Sequence, residues 1–529
     1  MRRRLVTALS LGALCAAVAF SPARAATPVS PASVDATALI NQRVAEGWVA
    51  AHLTPAPPAS DSEFLRRVWL DLAGRVPTED EARAFLADTD SLKREHLVDR
   101  LLASPDYATH WTDVYLALLV GRDQKLAGGA ARATLGPYLK QAFAENRDYA
   151  RITRELLTST GPLAQHGEGA FLVKSTFGGG PEGAASASAR VFLGLQIGCA
   201  QCHDHPSDAR YKQADFWALA GYFAQTKVAR GAAKGPGAFI VYETRKGDAM
   251  MKSHDTGEEV MVPPKFLGRA IVQGKGETRR DALSRAIVSS DLFAKEAVNR
   301  VWSELFGRGL VEPFDDLGGE HDANHPPLLN ELSDAFVAHF FDLRWLLRSV
   351  VLSEAYTRSS SGGAGDPALL TKTFARAAVR PLQPEQLFRS LLTATGFDDV
   401  IARRVGEDLA DARIQKWLRQ YLFVFGDDEM GEVNEFDGSV PQALLLMNGP
   451  LTNQGIRARG GSELEQALQR HEDRAGRVES LFYAAYARPP AAHESARIGA
   501  YVDQKSGARD AYEDVFHALL TSVESTTNH

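Results

Sequence analysis

The residues whose types and spacing carry the most specific chemistry in this chain are Cys199, Cys202 and His203. They lie in Gly198-Cys199-Ala200-Gln201-Cys202-His203-Asp204-His205-Pro206 and form a C-x-x-C-H pattern, which reads as a c-type haem attachment site. Two thiols separated by two residues can each add across a vinyl group of one porphyrin, and the imidazole that follows then lies under the iron as its proximal ligand. With three Cys and 14 His in 529 residues, chance would produce the pattern about 5 × 10⁻⁴ times per chain of this composition. Coincidence is therefore a poor account. Asp204 and His205 are candidates for the hydrogen bond that fixes the His203 ring, the part that groups behind a metal ligand play.

The same residues admit other chemistry. Cys199 and Cys202 could form a disulfide or a redox dithiol. Zinc usually takes four N or S ligands, and with no second Cys pair the set would be Cys199, Cys202, His203 and His205, too close in sequence to reach a tetrahedron easily. A haem held by His203 alone would keep an open face for ligand binding or peroxide chemistry, whereas a second axial ligand favours electron transfer. Met250, Met251, His254 and Met261 follow the motif, with Met430 and Met447 further on; a Met is more often core filler than a ligand. Glu320-His321-Asp322-Ala323-Asn324-His325 could hold a metal for a hydrolase, and its plainer reading is a polar loop in which His325-Pro326 introduces a helix. Asp427 to Asp437 lacks the residue order of a calcium loop. Gly178 to Gly183 lacks the Gly-Lys-Ser/Thr of a phosphate loop and reads as a connection.

Compartment fits haem. Met1 to Ala25 reads as a secretory signal, with Arg2-Arg3-Arg4, an apolar run from Leu5 to Phe20, and Ala23-Arg24-Ala25 for cleavage. A periplasmic or secreted protein is expected, with Cys15 lost and Cys199 and Cys202 left for chemistry. The formal net charge of −7 offers no basic footprint for nucleic acid. No later run has the length of a membrane span.

The elements that must position the motif are helical in texture, and the expected fold is mainly α: a multi-helix bundle in two packed halves. After the N-terminal segment and linker at 26–62, a helical domain spans 63–230. There Phe64, Val68 and Leu72 recur at helix spacing, Pro77-Thr78-Glu79 starts a helix, and Ser104-Pro105-Asp106 caps another. Ala185, Ala189, Phe192 and Leu193 suggest a small-residue helix that delivers Cys199 and could approach a flat partner closely. Residues 231–270 form a β-like, hairpin-like insertion, from the runs Phe239-Ile240-Val241-Tyr242 and Glu259-Val260-Met261-Val262. Helical texture then fills 271–529.

Several stretches resemble a pair of domains abundant in planctomycetes. Phe64-Leu65-Arg66-Arg67-Val68-Trp69-Leu70-Asp71-Leu72-Ala73-Gly74 with Pro77-Thr78, Leu97 to Pro105, and Val191 to Pro206 resemble domain of unknown function 1549, called planctomycete cytochrome c-like. Val298-Asn299-Arg300-Val301-Trp302, Leu305 to Pro313, His325-Pro326 and Pro441 to Asn448 resemble its usual partner, domain of unknown function 1553. The separate small cytochrome domain that often precedes the pair is absent, and Asp427 to Glu432 is more acidic than the Arg-containing stretch of relatives. The resemblance implies a cytochrome-like protein with haem c on Cys199, Cys202 and His203, working with a redox partner protein. The competing expectation is a non-haem extracytoplasmic scaffold.

Overall fold

Ile40, Val44 and Trp48 recur every four residues and are buried along one face of the helix Ala36–Ala50. This helix lies inside the stretch that reads from sequence as an N-terminal segment and linker. The Pro55–Ser62 run behind it is also fixed in place: Ala56 N donates to Ala375 O at 2.8 Å, and Thr54 and Pro58 make isolated bridges to Ala364 and Arg358. The computed structural model describes residues 35–122, 126–177, 179–206, 208–232, 234–319, 324–425 and 439–529. The signal-like stretch Met1–Ala25, His321, Met430 and the acidic run Asp427–Asp437 lie outside the described residues.

The fold is mainly α, with small sheets of two or three strands. Both β-like runs are strands, Phe239–Glu243 and Glu259–Val262, but they do not pair with each other. The first pairs with Thr226–Arg230 and with Gly161–Pro162. The second pairs with Ala249–Lys252, setting Met250 directly opposite Met261. The insertion is thus divided between two sheets, because each strand finds its partner nearer in sequence or in the helical body.

Apolar packing forms two clusters. The larger joins helices from Ala36 onward to those running from Leu283 to Ala375; the smaller gathers Leu70 and Val76 with residues from Leu382 to Leu520. The helix Asp61–Ala73 contributes to both, and every residue from Phe64 to Ala73 is buried. That includes Arg66, Arg67 and Asp71, whose burial is costly unless each polar atom finds a partner. Arg66 donates to the carbonyls of Ala485, Glu524 and Ser525 at 3.0, 2.9 and 3.1 Å. Arg67 donates to the main-chain oxygens of Tyr356, Arg358 and His529 and to the Glu63 carboxylate. Asp71 accepts from Tyr356 Oη at 2.7 Å, from Asn528 Nδ2 at 2.8 Å, and from Arg380. The short strands Arg380–Pro381 and Thr527–Asn528 pair beside it.

Removing one member of so buried a set strands the others. Asp71→Ala should therefore lower the free energy of unfolding by about 3–5 kcal/mol. Arg348→Ala, which breaks an exposed pair to Asp99 of 2.6 Å, should cost under about 1 kcal/mol. Urea unfolding midpoints of the two variants, compared at equal slope, check the contrast.

Candidate functional site

The helix Gly180–Leu193 carries Ala184, Ala185, Ser188 and Ala189, all buried. Its small-residue face is covered by neighbouring helices of the same chain, Ala170–Thr176 and Asp291–Phe306 among them, so it is not left for a flat partner. The helix ends at Gly194 in the left-handed conformation, φ +59°, with Leu195 N returning to Ala189 O at 3.1 Å. A side chain at 194 would meet Leu317 at 2.9 Å and Glu296 at 3.4 Å, so only glycine serves both the turn and the close approach. Leu317 N donates to Gly194 O at 2.6 Å, and Gln196 Nε2 to Asp315 Oδ1 at 2.7 Å. The chain then enters a 3₁₀ turn, Ile197–Gln201, which buries Ile197 and Ala200 and exposes Cys199.

Cys199 and Cys202 are both exposed and are not joined to each other. His203 is exposed as well, and its Nδ1 lies 2.6 Å from the carbonyl oxygen of Asp204. A carbonyl only accepts, so Nδ1 carries a proton, and in the neutral ring Nε2 then keeps its lone pair, the arrangement typical of a histidine that binds a metal. The hydrogen bond expected from the Asp204 side chain is thus made by its main chain. The Asp204 carboxylate instead accepts from Gln213 N at 3.0 Å and pairs with Lys212 Nζ at 3.1 Å. The Gln213 hydrogen bond, then Lys212, hold that carboxyl below its ordinary range.

His205 sits across the loop as a staple. Its Nε2 donates to Gln196 O at 3.0 Å, its Nδ1 accepts from Asp208 N at 3.0 Å, and its own N–H meets Tyr211 O at 2.9 Å. Both ring nitrogens are thereby occupied. Among the described residues no group of three His, Cys, Asp or Glu side chains is disposed to hold a metal ion, so the four-ligand zinc set does not assemble. His325 introduces the helix Pro326–Ala338, and its ring packs against Gly47 and Phe374.

Gln213 is the residue that sequence reasoning missed. It is buried at the start of the helix Gln213–Ala220. Its Nε2 donates to Lys252 O at 2.9 Å, Cys202 O at 3.2 Å and Gln201 O at 3.3 Å, while its Oε1 accepts from His254 N at 3.2 Å. Trp217 Nε1 adds a bond to Gln201 O at 3.0 Å. One amide therefore ties the thiol turn to the Ala249–Lys252 and Glu259–Val262 hairpin, bringing Met250, Met251, Met261 and His254 to the motif's side of the molecule. Met447 lies on the helix Val440–Asn448, which contributes Leu445 and Leu446 to the smaller apolar cluster. The position of Gln213 in the first turn of its helix, beside Ala214 and Asp215, carries no sequence signal of its role in the site.

Behind the turn, Glu296 and Arg300 pair in the buried interior of the helix Asp291–Phe306, with Asp315 and Arg190 beside them. Burial pushes the Glu296 carboxyl up to about 7 despite Arg300.

Residues 39–228 match the family model PSCyt2, a protein of unknown function (DUF1549), and residues 279–420 match PSD1, a protein of unknown function (DUF1553). The chain carries both domains. The PSCyt2 match takes in the helix Asp61–Ala73 and the whole thiol turn, while the PSD1 match ends before Pro441–Asn448. No curated protein and no solved structure matches the chain.

Two outcomes test this geometry. In the reduced folded chain Cys199 and Cys202 should react rapidly with a thiol reagent without denaturant, Cys199→Ser and Cys202→Ser each removing one fast-reacting group. Because Glu296 is raised in the folded state, the native chain holds more protons than the unfolded one between the ordinary glutamate value of 4.5 and about 7. Stability should therefore fall as pH rises through that window and level off above it. Glu296→Gln should flatten the fall, read as urea midpoints across the window.

Proposed function

We propose that the chain is a c-type haem protein of the extracytoplasmic space, acting in electron transfer or haem-based redox chemistry with a protein partner. The observation that carries the reading is the state of the three donor residues. Two exposed, unjoined thiols flank one short turn, and the adjoining imidazole has Nδ1 engaged by a carbonyl, leaving Nε2 for iron. Cys199 and Cys202 would hold the porphyrin through thioethers and His203 would be its proximal ligand, the haem supplying one-electron redox chemistry when bound. The residues around them do the positioning: Gly194 turns the chain, His205 staples the loop, and Gln213 holds the carbonyl of Cys202. Cys199, Cys202, His203 and Asp204 all face solvent, which suits exchange with a docked protein rather than chemistry in a closed pocket. The signal-like stretch Met1–Ala25 supports attachment outside the cytoplasm.

Production of the full chain with a haem-attachment system tests the reading. The purified protein should show a reduced α-band and retain its haem through acid-acetone extraction. Cys199→Ala or Cys202→Ala should leave a single thioether, and His203→Ala should keep the covalent bond while altering the axial-ligand spectrum. A colourless protein whose thiols titrate in full would overturn haem attachment and leave a dithiol on a scaffold.

A further inference from the structure

Between the two apolar clusters, where the helix Asp291–Phe306 ends and the segment 378–383 passes from one cluster to the other, lies a cavity of about 220 Å³. Its wall includes Ser303, Glu304, Phe314, Val379, Arg380 and Gln383. Seams of this kind are where small-molecule sites occur most often. The volume is below that of drug-sized sites, so a ligand would be about one ring in size. The wall is built from Ser303, Glu304, Gly307 and Phe314 on one side and from the segment 378–383 on the other, neither of which the haem reading uses.

The polar groups of the cavity are unevenly satisfied. Both terminal nitrogens of Arg380 are engaged, one on the Glu304 carbonyl at 2.8 Å and the other on Asp71. Arg122, just behind, donates to Gln383 Oε1 at 2.8 Å and to Glu385. The Glu304 carboxylate, by contrast, takes no hydrogen bond or ion pair among the described residues, although it lines the cavity. Burial raises its pKa against the opposing pull of Arg300, Arg380 and Arg122. With Oε1 of Gln383 held by Arg122, the amide N–H₂ is the end left to donate. The Ser303 hydroxyl can do either. Three guanidinium groups near Glu304 disfavour an ammonium ligand, and the bare carboxylate disfavours an anion. What remains is a neutral ligand that both gives and accepts hydrogen bonds and has C–H surface for Phe314 and Val379.

We propose that this cavity binds a small neutral polyhydroxylated molecule, a monosaccharide or cyclic polyol, with Glu304 accepting from its hydroxyls and Gln383 donating to them. The site is independent of the thiol turn and of haem.

The test is titration of the intact folded chain with D-glucose, D-galactose and myo-inositol, followed by saturation-transfer NMR and calorimetry, with methylammonium and inorganic phosphate as charged controls. At least one polyol should bind saturably and neither control should. Glu304→Gln should weaken binding about tenfold or more, as loss of a charged acceptor does. Val379→Trp, at a rim position 58 % exposed, should block binding while circular dichroism and the urea midpoint stay unchanged. The proposal is overturned if no polyol of the panel saturates, if methylammonium or phosphate binds in their place, or if binding survives both substitutions.

Discussion

Buried charge is costly unless it finds partners, and in the helix Asp61–Ala73 three charged side chains find theirs along widely separated parts of the chain. Arg66, Arg67 and Asp71 lie in a run of ten consecutive buried residues and are satisfied by carbonyls, a phenol, an amide and a guanidinium from residues 356–380, 485 and 524–529. Apart from the Glu63 carboxylate, four residues before Arg67, the partners are distant in sequence. The helix contributes side chains to both apolar clusters, so its place in the fold and the docking of the second cluster on the first are one event. The site segment packs on the larger cluster, through Ile197, Ala200, Phe216 and Leu219, and the seam cavity lies where the two clusters meet.

The thiol turn shows how local geometry is fixed without a large core of its own. Gly194 permits a change of direction that any side chain would block, Ile197 and Ala200 anchor the turn, and Gln213 holds the carbonyls of Cys202 and Lys252. The sulfurs and the imidazole stay outside. Rigidity here comes from the backbone behind the reactive groups, and that is what a fixed cofactor or a fixed dithiol would both require.

Much of this was legible in the residues and some was not. The helical texture, the proline and serine caps and the two β-like runs depend on short-range periodicity and spacing, and each is found where the pattern puts it. The helix Ala36–Ala50 was hidden because Ala36, Ile40, Val44 and Trp48 are spaced by four in a weakly apolar stretch, which a neighbouring proline-rich run makes read as a linker. The pairing of Phe239–Glu243 with Thr226–Arg230 was equally hidden, since strand partners are chosen by packing and not by the run itself. The roles of Gln213 and the Asp204 carbonyl could not be read at all, because both depend on main-chain atoms brought together by folding. In the same way Arg66, Arg67 and Asp71 spell surface residues in any linear reading, and only their distant partners make them interior.

The exposure of Cys199 and Cys202 on the finished fold has a consequence for maturation. An enzyme or small reagent that modifies these sulfurs needs neither an unfolded chain nor a local opening, because Ala200 and Ile197 carry the burial and the reactive atoms do not. A covalent addition at this turn would therefore not need to precede folding, because the exposed sulfurs can be reached on the finished fold.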